Sequence, residues 1–251
     1  MQKITSDADE IYAGYARTRP NCRIPAQSAE LLSLREPVFR KHFLPLLPID
    51  RGARILDLGC GYGEFLYFLQ RSGYANASGV DLSDRQLEVG RSLGVSNLQR
   101  GDAATVLAGS RGEFDFISAI DVLEHVPKNR VVELLDTIYA GLRPGGRFVC
   151  QVPNLAAFYS PLFYMDFTHE TPFTAPSLKQ ALQLARFGGI RVLAIGPVAH
   201  GIKSTVRCIL WKGITTCLRF VQTVEGGPQD ALCSIYTAAI LASADKTGLL
   251  T

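Results

Sequence analysis

Along residues 52 to 153, short apolar runs alternate with segments whose apolar residues return every three or four positions. ARILDLG, ASGVDL, a short piece near LQRGD, FDFISAI and GRFVCQVP have strand length and the apolar character of strands covered on both faces. Between them EFLYFLQRSG, DRQLEVGRSLG and NRVVELLDTIYAGL carry helical spacing. Parallel strands need crossover connections, and the helices that make them cover both faces of the sheet. A helix at APSLKQALQLARFG, then strands at GIRVLAIGPV and SIYTAAILAS, complete the series. The pattern predicts an α/β fold with a doubly wound, seven-stranded, mostly parallel sheet.

Two segments stand outside this alternation. Residues 1–50 are punctuated by Pro20, Pro25, Pro37, Pro45 and Pro48. Within them PVFRKHFLPLL places Val38, Phe39, His42, Phe43 and Leu46 on one helical face, as in a leader or lid packed on the main domain, residues 51–251. The second segment is an insertion before the last strand, residues 203–222. There Val206, Ile209, Leu210, Ile214, Cys217, Leu218 and Val221 recur at helical spacing, while Lys203, Arg207, Lys212 and Arg219 supply charge of one sign. Such a basic amphipathic helix suits a peripheral membrane contact, a homodimer contact or a cap over a pocket.

Composition narrows the partners. In 251 residues, 26 Lys and Arg face 23 Asp and Glu, a net charge of +3 that gives nucleic acid no broad basic footprint. With 47% hydrophobic and 20% charged residues the chain has a packed core and is not disordered. Its six cysteines stand singly, so neither a zinc site nor a disulfide framework is signalled, and a reducing, cytoplasmic setting is expected. No apolar run reaches the roughly 18 residues of a spanning helix. A small-molecule or glycan substrate is the better expectation.

The strongest chemical signal is Ile55-Leu56-Asp57-Leu58-Gly59-Cys60-Gly61-Tyr62-Gly63-Glu64, a strand that runs into spaced glycines and then a helix. Glycines there let the backbone turn sharply and approach a ligand closely. Asp81 follows 20 residues after Gly61, at the end of the next strand, where a carboxylate accepts from a ribose diol. A dinucleotide site would show GxGxxG, but the third glycine falls one position early and Glu64 occupies the expected glycine position.

An acid followed by GxGxG resembles the class I S-adenosylmethionine-dependent methyltransferases, whose fold is a Rossmann-like sheet of this kind. Further matches in register are Gly101-Asp102-Ala103, Phe114-Asp115, Asp121-Val122-Leu123-Glu124-His125-Val126 and Leu142-Arg143-Pro144-Gly145-Gly146, so the resemblance covers about residues 52–153. It implies S-adenosyl-L-methionine as cofactor, with Asp57 as the acid of the glycine motif. Gly59, Gly61 and Gly63 would make room for its methionine part, with Asp81 on the ribose and Leu82 against adenine. Asp102 and the Ala103 backbone would meet the adenine edge, and Asp121 and Val122 the amino-acid moiety. Tyr15, with Tyr12, Arg17 and Arg19, would fold over the cofactor carboxylate.

On the acceptor side, Asp166-Phe167-Thr168-His169-Glu170 follows the fifth strand, where parallel sheets open a crevice. His169 is the candidate base for a hydroxyl acceptor, with Asp166 to orient it and His125 as a second candidate. Phe158, Tyr159, Phe163, Tyr164 and Phe167 offer a stacking wall for a sugar or ring. Asp121, Asp166 and His169 could gather around a divalent ion, although no spacing demands one, so no metal ligands are assigned and metal dependence stays open. The leader, LEHVP, RPGGRFVCQVPN, DFTHE and the basic helix together resemble methyltransferases of bacterial surface polysaccharide and O-antigen assembly. That resemblance implies a sugar hydroxyl on a nucleotide-linked or lipid-linked glycan. An O-methyltransferase for a quinone-like or other small aromatic acceptor, and a non-catalytic binder of the cofactor, are the alternatives.

Overall fold

The computed structural model describes residues 32–158, 162–227 and 231–247. Its strands are β1 (Ile55–Leu58), β2 (Ala77–Asp81), β3 (Leu98–Arg100), β4 (Phe114–Ile120), β5 (Leu142–Pro153), β6 (Gly188–Ile195) and β7 (Ala239–Asp245). They form one seven-stranded sheet in the order β3-β2-β1-β4-β5-β7-β6. β1 to β5 pair in parallel, and β7 runs antiparallel to both of its neighbours. The doubly wound, mostly parallel sheet expected from the hydrophobic pattern is therefore present.

The longer helices are α1 (Glu64–Arg71), α2 (Asp84–Ser92), α3 (Ala103–Ala108), α4 (Val131–Gly141), α5 (Ala175–Leu184) and α6 (Ile202–Gly226). Three begin on side chains that answer otherwise unpaired backbone N–H groups. Ser83 caps α2, Asp102 caps α3, and Thr174 and Ser177 form a reciprocal box at the start of α5. Alternate strand residues feed two cores: Leu56, Ile117 and Leu135 lie on one face of the sheet, and Ile55, Phe116 and Leu66 on the other. Each fully buried side chain of this size stabilises the fold by ~1.5–3 kcal/mol.

The described part of the leader contributes to the second core. Three short helical pieces, Glu36–Val38, Phe39–Phe43 and Leu44–Leu46, bring the Phe39 ring within 5.0 Å of Phe65 and the Phe43 ring within 5.1 Å of it. β7 starts later than SIYT predicts, because the Ile235 and Thr237 carbonyls accept from the Asn154 side chain. α6 extends beyond residues 203–222 at both ends. Its least exposed residues, Ser204, Cys208, Trp211, Thr215, Leu218 and Gln222, face the body of the protein, and most of its predicted apolar stripe is exposed. Among the described residues no helix is long and apolar enough to cross a membrane.

Candidate active site

β1 and β4 lie side by side, and the chain winds away from them in opposite directions, which opens a crevice beyond their carboxyl ends. A cavity of about 920 Å³ occupies this place. That is the upper part of the ~300–1,000 Å³ range of small-molecule sites.

On the β2 side, the Asp81 carboxylate is fixed by backbone donors before any ligand is considered. Gly61 N–H donates to its Oδ2 and Ser83 N–H to its Oδ1, each at 2.8 Å. Gly61 makes its bond with φ +56°, a left-handed conformation that favours glycine. Gly59 is also left-handed, and a Cβ there would stand 2.5 Å from Val122 Cγ2. Leu82, Asp102 and Ala103 line the same end of the cavity, with Asp102 Oδ1 accepting from Thr105 N–H at 3.0 Å. Gly63 is placed differently from the expectation. It lies outside the cavity lining at the start of α1, where a Cβ would meet Val95 at 2.8 Å, so its size serves helix packing.

At the cavity floor Asp57 is buried and accepts from the Ser118 hydroxyl at 2.7 Å. Burial pushes its carboxyl up to about 7, against the pull of that hydrogen bond. Asp121, at the end of β4, takes φ +57°, which is uncommon for a residue with a side chain. Gln151 holds it there, its carbonyl accepting Asp121 N–H and its side-chain amide donating to Asp121 Oδ1. Arg35 completes this end, donating to Gln151 Oε1 at 3.2 Å and standing 3.8 Å from Asp121 and 3.9 Å from Glu64. Glu64 is raised to about 7 by burial, with Arg35 working in the opposite direction.

Tyr12, Tyr15, Arg17 and Arg19 lie outside the described residues, and so does Tyr159. Arg35 and Gln151 were not anticipated from the sequence. Arg35 belongs to no motif, whereas Gln151 carried a usable signal as an amide inside an apolar strand.

The cavity lining also includes two histidines, His125 and His169, whose rings meet edge to face at 4.7 Å between centroids. His125 Nδ1 lies 2.9 Å from Thr168 Oγ1 and 3.3 Å from the Thr168 carbonyl, and the Thr168 hydroxyl donates to Asp166 Oδ1 at 2.7 Å. A carbonyl only accepts, so the neutral ring carries its proton on Nδ1 and its lone pair on Nε2. Asp166 is thus linked through Thr168 to His125. His169 Nδ1 donates to the Phe163 carbonyl at 2.8 Å, and its Nε2 stands 4.0 Å from the buried Glu124 carboxylate. Among the described residues, Glu124, His125 and His169 bring ligating atoms within 4.8 Å of one another, a grouping the sequence had not suggested. Val126, Pro127, Leu134, Leu162 and Met165 supply apolar wall beside them, while α6 contributes nothing to the lining.

The sheet order, the antiparallel β7 and an acid-fixed glycine turn at the switch point define the class, a Rossmann-like methyltransferase fold. The chain belongs to the methyltransferase-domain family, whose model matches residues 32–190. A ubiquinone biosynthesis O-methyltransferase of Xylella fastidiosa is 35% identical over 129 residues, 49% of this chain and 51% of that protein. The chain therefore spans about half the length of that relative. Trans-aconitate 2-methyltransferase of Rhizobium rhizogenes is 28% identical over 80% of this chain and 82% of its own. In fold, the chain is similar to an S-adenosylmethionine-dependent methyltransferase of Archaeoglobus fulgidus, with a TM-score of 0.62 at 24% identity over 87% of this chain and 94% of that one. A Haemonchus contortus phosphoethanolamine N-methyltransferase 2 in complex with S-adenosyl-L-methionine gives a TM-score of 0.60 at 18% identity, covering 93% and 59%. Neither the Xylella nor the Rhizobium relative carries a name from surface polysaccharide assembly.

Proposed function

We propose that this protein binds S-adenosylmethionine and transfers its methyl group to a hydroxyl oxygen of a small ring-containing acceptor. The observation that carries the reading is the His125–Thr168–Asp166 relay in the same cavity as the fixed Asp81 carboxylate. The residues present suit the cofactor. Asp81 offers a carboxylate to a ribose diol, Leu82, Asp102 and Ala103 offer a surface and polar edge for adenine, and Arg35 offers a cation for the amino-acid carboxylate.

When bound, the cofactor supplies a methyl group already activated on a sulfonium sulfur. The protein's part is then alignment, exclusion of water and removal of the hydroxyl proton. His125 takes that proton at Nε2, and the charge that develops on its ring is stabilised through Thr168 by Asp166. His169, held by the Phe163 carbonyl, packs against the His125 ring and sets its tilt. The expected base thus moves from His169 to His125, because the relay to Asp166 reaches His125.

The apolar walls at Val126, Pro127, Leu134, Leu162 and Met165 favour a planar, hydroxylated ring, as do the relatives named for ubiquinone biosynthesis. Arg130, Glu133, Thr137 and Glu170 at the same end support a second reading, a glycan hydroxyl. The test is incubation with S-adenosylmethionine and either a catechol or a nucleotide-linked sugar, followed by mass spectrometry. A methyl added to the catechol supports the first reading, and one added only to the sugar supports the second. Failure to bind S-adenosylhomocysteine would overturn both.

A further inference from the structure

Helix α6 turns its apolar side away from the protein. Ile202, Val206, Ile209, Phe220 and Val224 lie opposite the packed residues Ser204, Trp211 and Gln222 and are exposed, Ile209 at 64% and Phe220 at 69%. By helical spacing Lys203 and Lys212 flank this stripe, one on each side, while Arg207 and Arg219 lie further round toward the packed side, all four exposed. The helix carries one acid, Glu225, in its last turn.

The topology fixes where α6 begins relative to the cavity. Pro153 of β5, Ala239 of β7 and Ile195 of β6 are in register, so the loop after β5 and the segment leading into α6 leave the sheet at the same edge, the edge where the cavity opens. The loop after β5 adds a second exposed apolar set at that edge, with Phe158, Tyr164 and Phe167 exposed at 62%, 77% and 97%.

We propose that α6 and this aromatic loop seat the protein on an anionic lipid surface, α6 lying in the plane of the headgroups. Apolar side chains would enter the boundary of the acyl region, flanking Lys and Arg would reach lipid phosphates, and Tyr and Phe would take the interfacial level that aromatic rings prefer. A second copy fits this face less well. Pairing two such helices brings four cations from each against one acid from each. The inference needs no turnover and stands apart from the methyl-transfer reading.

Sedimentation with vesicles tests it, using phosphatidylcholine alone and phosphatidylcholine mixed with phosphatidylglycerol. The protein is expected to pellet with the mixed vesicles, and less so as salt is raised. Each cation near an anionic leaflet contributes roughly fivefold to partitioning, so the double variant Lys212→Gln, Arg219→Gln should partition about 25-fold more weakly. Phe220→Asp and Ile209→Asp, at exposed positions, should lose the vesicles while keeping the wild-type circular dichroism. Equal partitioning of wild type and variants would overturn the proposal. So would a dimer in light scattering that Phe220→Asp dissociates while the wild type ignores both vesicles.

Discussion

Gly61 and Asp81, 20 positions apart, are joined by a 2.8 Å hydrogen bond from the Gly61 N–H to Asp81 Oδ2. The bond ties the turn after β1 to the end of β2, and with Ser83 N–H on Oδ1 it leaves the carboxylate one orientation. A carboxylate oxygen accepts more than one hydrogen bond, so Asp81 held in this way suits the vicinal diol of the proposed cofactor. Asp81→Asn keeps the shape but sets an amide against a backbone donor and removes the charge. Hydrogen bonds to charged groups contribute about 1.5–3 kcal/mol, so S-adenosylhomocysteine should bind roughly 10- to 100-fold more weakly by calorimetric titration. Unchanged affinity would remove Asp81 from the site.

Gly63 makes the opposite prediction. Its φ of +83°, and the 2.8 Å at which a Cβ there would meet Val95, mark a packing position beside the cavity. Gly63→Ala should lower stability by about 1–3 kcal/mol through left-handed strain and displacement of Val95. Chemical denaturation measures that loss, and calorimetry on the folded protein should return the wild-type affinity. A large fall in affinity with stability intact would place Gly63 back in the cofactor site.

These two glycines mark how far the sequence could be read. The strand and helix periods, the glycine turn and Asp81 are local patterns, and the sheet and the Asp81 end of the cavity follow from them. Contacts between distant segments leave no such pattern. Arg35 reaches Gln151 across 116 positions, and the Thr168 hydroxyl reaches His125 across 43, so these two groupings became visible only with the fold. The same reason explains the direction of α6. The spacing of Ile209 and Phe220 identifies an apolar stripe, but only the packing of Ser204 and Trp211 shows that the stripe points outward.

The buried Asp57 predicts a pH dependence. Its carboxyl stands at about 7 in the folded protein, raised by burial from an ordinary value near 4. Between those values the folded protein holds a proton that the unfolded chain has lost, so this group's contribution is complete below about pH 4 and is lost as pH rises through 7. Asp57→Asn removes the titration while leaving an amide oxygen for the Ser118 hydroxyl. Relative to wild type, the variant should gain on the order of 3 kcal/mol on going from about pH 4 to about pH 8. Thermal melts at both pH values test this, and a constant difference between the proteins would show that Asp57 does not titrate in this window.

The relay at the acceptor end separates His125 from His169. If His125 removes the acceptor proton, His125→Ala should lower kcat by about 10²- to 10⁴-fold, the usual range for a positioned general base, while S-adenosylhomocysteine affinity stays at the wild-type level. Asp166→Asn and Thr168→Val leave the imidazole in place but interrupt the chain that orients it, so each should lower kcat by a smaller factor with KM little changed. His169→Gln removes the ring that packs on His125 at 4.7 Å without touching the relay, and a loss smaller than that of His125→Ala is expected. The pH–rate profile makes the comparison decisive. The arm that reports an unprotonated base should disappear in His125→Ala and persist in His169→Gln. If the arm disappears in His169→Gln instead, the base is His169, and the Asp166–Thr168–His125 chain serves only to hold the loop after β5 in place.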